Sequence, residues 1–140
     1  MSLELSSLEK AVASLERAWN FTNRKLSEGK VEQDEMEVYK AAVIQNFEFS
    51  YEQCWKFMKR WLELNLTPGM MEGVTRKQLF RYATENRLIT DFDAWVVYHD
   101  LRNRTSHTYD RDVANVIFER AGFFLKDAKS FLKALELRND

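Results

Sequence analysis

Glycine appears four times and proline once in 140 residues. Both residues serve tight turns, so their scarcity leaves a β-rich fold without its corners and points to few, long elements. Cysteine occurs once, as Cys54, which excludes an internal disulfide and fits a reducing compartment. The opening MSLELSSLEK lacks the apolar core of a signal peptide. No stretch approaches the roughly 18 apolar residues that span a bilayer. A cytoplasmic location is expected. An excess of either charge is also missing. Lys and Arg number 21 against 22 Asp and Glu, a net charge of −1, which gives no broad basic footprint for nucleic acid but leaves room for a local one.

The common catalytic patterns are absent too. There is no Gly-rich phosphate loop, no C-x-x-C and no H-E-x-x-H. His99 and His107 lack the carboxylates of a metal site, so no metal and no cofactor are expected. Asp91-Phe92-Asp93 and Asp110-Arg111-Asp112 are D-x-D pairs of the kind that hold metal in nucleotidyltransferases. Here they fall at expected helix starts, where carboxylates complement the helix dipole. The chain also has no Gly-Ser dipeptide, so it is not expected to be a nucleotidyltransferase catalytic subunit. Cys54 lies on an apolar helical stripe, where a thiol is inert. Glu48 and Glu52 stand one helical turn apart, a spacing better suited to a helix surface or ion pairs than to an acid/base couple.

What is present is helical periodicity in a single expected domain, residues 1–140, with 45% hydrophobic residues to build a core. A first helix is expected from Leu5 to Ser27, with Leu8, Val12, Leu15, Trp19, Thr22 and Leu26 on one face and Gly29 as a left-handed cap. A second runs from Asp34 to Asn65 on the stripe Phe47, Tyr51, Cys54, Met58 and Trp61, widened by Ile44, Trp55 and Leu62. Thr67-Pro68-Gly69 stops it. The third opens on a capping box, Thr75 with Gln78, with Val74 and Leu79 placed as a hydrophobic staple. It ends near Asn86, which tolerates a left-handed cap. The fourth is expected to start at the N-cap Thr90 and to run through Trp95, Tyr98 and Leu101 to Asn103. The fifth follows Asp110 and ends near Leu137, on Val113, Ile117, Phe124, Ala128, Phe131 and Leu135. The expected fold is an all-α antiparallel helical bundle of about five helices around a four-helix core. Ten Phe, five Tyr and four Trp exceed what so small a bundle buries easily, a hint of a second interface.

One segment concentrates chemistry: Arg102-Asn103-Arg104-Thr105-Ser106-His107-Thr108-Tyr109-Asp110. It sets a fixed cation, an amide, a hydroxyl, an imidazole and a phenol at a helix end and the loop after it. An imidazole ordinarily exchanges its proton near neutral pH, and a guanidinium fork matches a phosphate. With a ribose 2′-OH as nucleophile, such a set could cleave a phosphodiester without a metal. The same residues are equally compatible with a structural loop, in which Asp110 caps the next helix, His107 bonds the loop and the arginines are solvated.

The pattern R-N-x-x-S-H-x-Y-D resembles the signature of the HEPN superfamily, R-x(4–6)-H. It resembles more closely the branch of nucleotidyltransferase substrate-binding proteins, the partners of minimal nucleotidyltransferases. Ile44-Gln45-Asn46-Phe47-Glu48-Phe49-Ser50-Tyr51-Glu52-Gln53-Cys54-Trp55-Lys56 is similar to that branch's helix signature, and the resemblance covers nearly the whole chain. It implies a homodimer with two R-x(4)-H loops across a cleft, and a small nucleotidyltransferase as partner. It also implies one of two roles. In the first, the chain is a metal-independent RNase toxin of a toxin–antitoxin pair, silenced when the partner adds AMP to a tyrosine. In the second, it is a non-catalytic nucleotide- or substrate-binding subunit. By the resemblance, Arg102 stabilises the phosphate in the transition state and His107 is the general acid/base. Asn103 and Ser106 contact the phosphate, RNA or nucleotide, Tyr109 is the nucleotidylation target, and Arg104, outside the signature, is expected to add to the same contact. A free phenol titrates near 10, so Tyr109 becomes an acceptor only when a metal or base of the partner deprotonates it. Asn86-Arg87 replaces a Gly-containing helix end, Ser50 and Cys54 are mild variants, and Arg104 adds a second cation.

Overall fold

The computed structural model describes residues 2–139. Five α-helices appear in chain order: α1 (Ser6–Glu28), α2 (Gln33–Asn65), α3 (Arg76–Glu85), α4 (Phe92–Asn103) and α5 (Arg111–Leu137), with a single 3₁₀ turn, Thr105–His107, before α5. No strand occurs among the described residues, and the chain is the antiparallel all-α bundle its periodicity predicts. No helix among them is long and apolar enough to cross a membrane.

The long walls are α1, α2 and α5, each packed against the other two. The shorter α3 and α4 pair with each other and close over α2. Two buried hydroxyls fasten α1 to α2 by donating to main-chain carbonyls: Ser50 to Ala11 at 3.0 Å and Thr22 to Tyr39 at 3.4 Å. Each satisfies a polar group that would otherwise be costly to bury. The rings of Phe47, Tyr51, Trp95, Tyr98 and Phe124 meet at one junction, which joins α2, α4 and α5.

Most helix ends follow their sequence signals. Gly29 takes the left-handed conformation (φ 68°) and its N–H bonds Leu26 O. The Thr75–Gln78 capping box forms in both directions, at 3.1 and 2.9 Å. Thr75→Ala is therefore expected to cost about 1 kcal/mol of stability by urea unfolding. Two ends differ from expectation. The N-cap of α4 is Asp91, whose carboxylate accepts from Ala94 N at 3.0 Å, and not Thr90. A carboxylate one residue further on both bonds the free N–H and faces the dipole, which a hydroxyl at 90 does less well. The left-handed residue after α3 is Arg87 (φ 60°), while Asn86 stays at φ −93°. The Asn86 side chain is engaged in bonding back to Tyr82 O at 2.8 Å.

The stripe of α2 is also broader than the sequence suggests. Val43 and Phe57 are fully buried, and Trp55 and Trp61 only half so. A helix covered by α1 on one side and by α3, α4 and α5 on the other has no single apolar face.

Candidate functional site

The chemistry-bearing segment occupies the end of α4, the 3₁₀ turn and the start of α5. Arg102 sits in the last turn of α4, where a cation complements the carbonyl end of the dipole. Its Nη1 donates to Thr105 Oγ1 at 3.0 Å, and that hydroxyl donates to Arg102 O at 2.8 Å. Thr105 is buried, so the turn is pinned to the helix it follows. His107 N then bonds Arg104 O and Asp110 N bonds His107 O, each at 3.0 Å. Asp110 closes the segment by capping α5, its carboxylate accepting from Asp112 N at 2.9 Å and Val113 N at 3.4 Å. Both D-x-D pairs are thus helix starts, as their positions suggest.

On this frame Asn103, Arg104, Ser106, His107 and Tyr109 are exposed. The His107 and Tyr109 rings meet edge to face, 6.1 Å apart, and Tyr109 is 86% exposed. Among the described residues no hydrogen bond or ion pair joins Arg102 to His107.

Arg102 instead faces α2. Its Nε lies 3.3 Å from Glu52 Oε1 and its Nη1 3.7 Å from Glu48 Oε2. The three side chains are each about a third exposed, so the pairing adds little stability, of order 0–1 kcal/mol. Its consequence is orientation. Two carboxylates one turn apart on α2 and one hydroxyl from the turn hold the guanidinium from different sides. Its buried Nε nevertheless has no aligned hydrogen-bond acceptor, which leaves one N–H unmet inside the site. The other oxygen of Glu52 accepts from Trp55 Nε1 at 3.0 Å, fixing the carboxylate in turn.

Beside this trio, Arg76 stacks on Trp55 with its guanidinium carbon 3.5 Å from the ring centroid. Tyr51 and His99 share a hydrogen bond of 2.8 Å. Burial raises the Tyr51 phenol above its ordinary range; burial and then the Arg76 charge lower the His99 imidazole. Both shifts favour the neutral forms of the pair. His99 is thereby committed to α2, away from the exposed loop that carries His107. Among the described residues no group of three or more His, Cys, Asp or Glu side chains is placed to hold a metal ion. Burial also holds the Cys54 thiol protonated, well above its ordinary range.

A groove of about 790 Å³ runs from the motif along α2 and the start of α5. Tyr109 stands at one wall, and Glu48 links it to Arg102. Within it Arg111 is paired with Glu37 at 2.7 Å, while Lys40 Nζ donates to Asn115 Oδ1 at 3.0 Å. Sequence reasoning finds the loop residues but not Glu48, Glu52, Gln45 or Lys40 as part of the same site. Their only signal is the i, i+4 carboxylate pair Glu48 and Glu52 on α2, which the apolar stripe does not require.

The family model described as nucleotidyltransferase substrate binding protein like matches residues 3–137. The probable ribonuclease HepT of Haemophilus influenzae is 38% identical over 100 residues, covering 71% of this chain and 68% of that protein. A solved Haemophilus influenzae structure, described as revealing the fold of a substrate binding domain of a nucleotidyltransferase, superposes with a TM-score of 0.90. It is 31% identical and covers 95% of this chain and 99% of the other. A crystal structure from Thermus thermophilus reaches a TM-score of 0.72 at 28% identity, covering 91% of this chain and 98% of the other.

Proposed function

The chain belongs to the family of nucleotidyltransferase substrate-binding-protein-like proteins, and from that premise we propose that it is the RNA-cleaving member of a pair with a small nucleotidyltransferase. The observation that carries this reading is the pinned loop. A guanidinium oriented by Glu48, Glu52 and Thr105 stands at its base, and an unencumbered imidazole at its tip. The likeness to a probable ribonuclease supports it.

The reaction needs only groups that the substrate and this loop supply. His107 takes the proton of a ribose 2′-OH, and the 2′ oxygen forms a bond to the adjacent phosphorus. The P–O5′ bond breaks, and the 5′ oxygen leaves with a proton returned by an imidazolium. Arg102 stabilises charge on the phosphoryl oxygens, most strongly as the pentacoordinate phosphorus forms. Asn103, Arg104 and Ser106, exposed around it, contact the phosphate or the strand. A second copy of the chain, placing two such loops across one cleft, is part of the same reading. The test is incubation of single-stranded RNA with the purified protein in EDTA. Fragments ending in a 2′,3′-cyclic phosphate are expected, and intact RNA with a well-folded dimer refutes the proposal.

Tyr109 is the proposed site of silencing. Its hydroxyl attacks the α-phosphorus of a nucleoside triphosphate bound by the partner, pyrophosphate leaves, and the phenolic proton passes to a base of the partner. Its 86% exposure is what such access requires. Tyr109→Phe is expected to abolish the nucleotidyl mass increment on the intact protein after incubation with partner and ATP. An undiminished increment places the modification elsewhere.

A second reading is favoured by the description of the solved Haemophilus influenzae relative as a nucleotidyltransferase's substrate binding domain. In that reading, the loop presents a nucleotide or RNA end to the partner and cleaves nothing. Intact RNA in EDTA, together with nucleotide transfer that depends on this chain, distinguishes it.

A further inference from the structure

The contacts that orient Arg102 continue beyond its two carboxylates. We propose that Trp55 and Arg76 are positioning residues for Arg102, acting on it through the Glu52 carboxylate. The inference rests on the proposed function, because that reading makes Arg102 the group that meets the phosphate.

Glu48 and Glu52 share one guanidinium, so charge alone leaves Arg102 free to settle against either. Glu48 is the farther, 3.7 Å from Nη1, and among the described residues no other side chain bonds it. Glu52 is the nearer, 3.3 Å from Nε, and it is held. Trp55 Nε1 donates to one of its oxygens at 3.0 Å and leaves the other toward Arg102. Donor and acceptor are three residues apart on α2, so the bond spans one turn of a rigid element. With Nε set against Glu52 and Nη1 on Thr105, Nη2 makes no hydrogen bond among the described residues. It is the nitrogen left to a phosphate oxygen.

The indole needs holding in turn. Trp55 is only partly buried, and a partly exposed ring leaves its rotamer unless something covers its face. Arg76 is that cover. It is the first residue of α3, directly after the N-cap Thr75. Its guanidinium carbon lies 3.5 Å from the Trp55 ring centroid, against 4.9 Å or more for the other arginines over rings among the described residues. Arg76 has no carboxylate within ion-pair distance among those residues, and its buried Nη1 meets no hydrogen-bond acceptor. The stack is therefore the contact that defines where it sits. The line of contacts runs from the start of α3 across α2 to the end of α4: Arg76 on Trp55, Trp55 to Glu52, Glu52 to Arg102.

The test reads Arg102 itself. Its Nε is buried, so the proton there is shielded from exchange and gives a signal in proton–nitrogen NMR spectra of the full chain without substrate. Loss of that signal in Arg102→Lys assigns it. Trp55→Phe keeps a ring for Arg76 to stack on and removes the donor. It should move the Arg102 signal and lower kcat of RNA cleavage about threefold to tenfold at nearly constant KM, because Arg102 acts most strongly in the transition state. In a Glu52→Ala background Trp55→Phe should have no further effect on either readout. Trp61→Phe is the control. It also removes an indole N–H, but one without a partner, and both readouts should stay at wild type. Arg76→Met should move the same signal. It deletes a buried N–H that has no acceptor, so the fold should persist, and it decides the matter alone if Trp55→Phe does not fold. An Arg102 signal left unmoved by either folded variant overturns the proposal, and so does an equal effect of Trp55→Phe with and without Glu52. If the signal moves while the wild type cleaves no RNA, the ribonuclease reading fails and the positioning stands.

Discussion

His107→Ala is expected to lower the RNA cleavage rate about 10²–10⁴-fold, the range a positioned acid/base group contributes. That corresponds to roughly 3–5 kcal/mol of barrier. The same substitution should leave unfolding free energy within about 0.5 kcal/mol of wild type, as for exposed side chains generally. The imidazole is exposed and, among the described residues, its side chain makes no hydrogen bond. The bonds that hold its loop run through the backbone of Arg104, His107 and Asp110 and through Thr105, all of which survive truncation at position 107. Initial rates in EDTA beside a urea curve would check both halves. Wild-type rates in the variant would remove His107 from the chemistry, and a large stability loss would assign it a structural part instead.

Arg102 is a less clean probe, and the structure says why. Its removal takes away the proposed phosphate ligand but also strands Glu48 and Glu52 beside each other on one helical face without their counter-ion. Activity and charge repulsion then change together. Within the free chain this cluster carries two carboxylates against one guanidinium, and the whole molecule is near neutral. On the proposed reading, RNA affinity is local, built from the few cations beside the motif such as Arg104, and sensitive to salt in proportion to those few contacts.

What the sequence discloses about this protein is what short-range chemistry writes into it. The Thr75–Gln78 capping box, Gly29 in a left-handed cap and Asp110 at the head of α5 are each decided by neighbours within a few residues, and each is found where its signal stands. The single-residue slip from Thr90 to Asp91 arises because two competent caps adjoin, and the carboxylate, which also faces the dipole, takes the free N–H. The loop residues 102–109 are legible because they are adjacent in the chain. Their partners are not. Glu48 and Glu52 are some fifty residues away, and an i, i+4 carboxylate pair reads as helix surface or ion pair with no partner named until α4 is laid across α2. Val43 and Phe57 escape the stripe for a related reason: a helix contacted on several sides buries residues that no single periodic face contains.

Phe124→Ala should be the most damaging single truncation, at about 3–5 kcal/mol. The ring is fully buried at the junction of three helices, with its centroid 5.0 Å from Phe47, 5.1 Å from Tyr98, 5.6 Å from Trp95 and 6.4 Å from Tyr51. Four surrounding rings from two other helices cannot all close on the vacated volume, so a cavity remains and its cost adds to the lost transfer energy. Against a total stability of about 5–15 kcal/mol, this is roughly a fifth or more of the fold. The same junction sets the distance between α2, bearing Glu48 and Glu52, and α4, bearing Arg102. Cleavage should therefore fall with the folded fraction and recover on cooling into the folded range, whereas the His107→Ala defect persists at every temperature. A loss below about 1 kcal/mol would show that the aromatic junction repacks freely, and that the α2–α4 spacing is held instead by the polar contacts of Arg102 and His99.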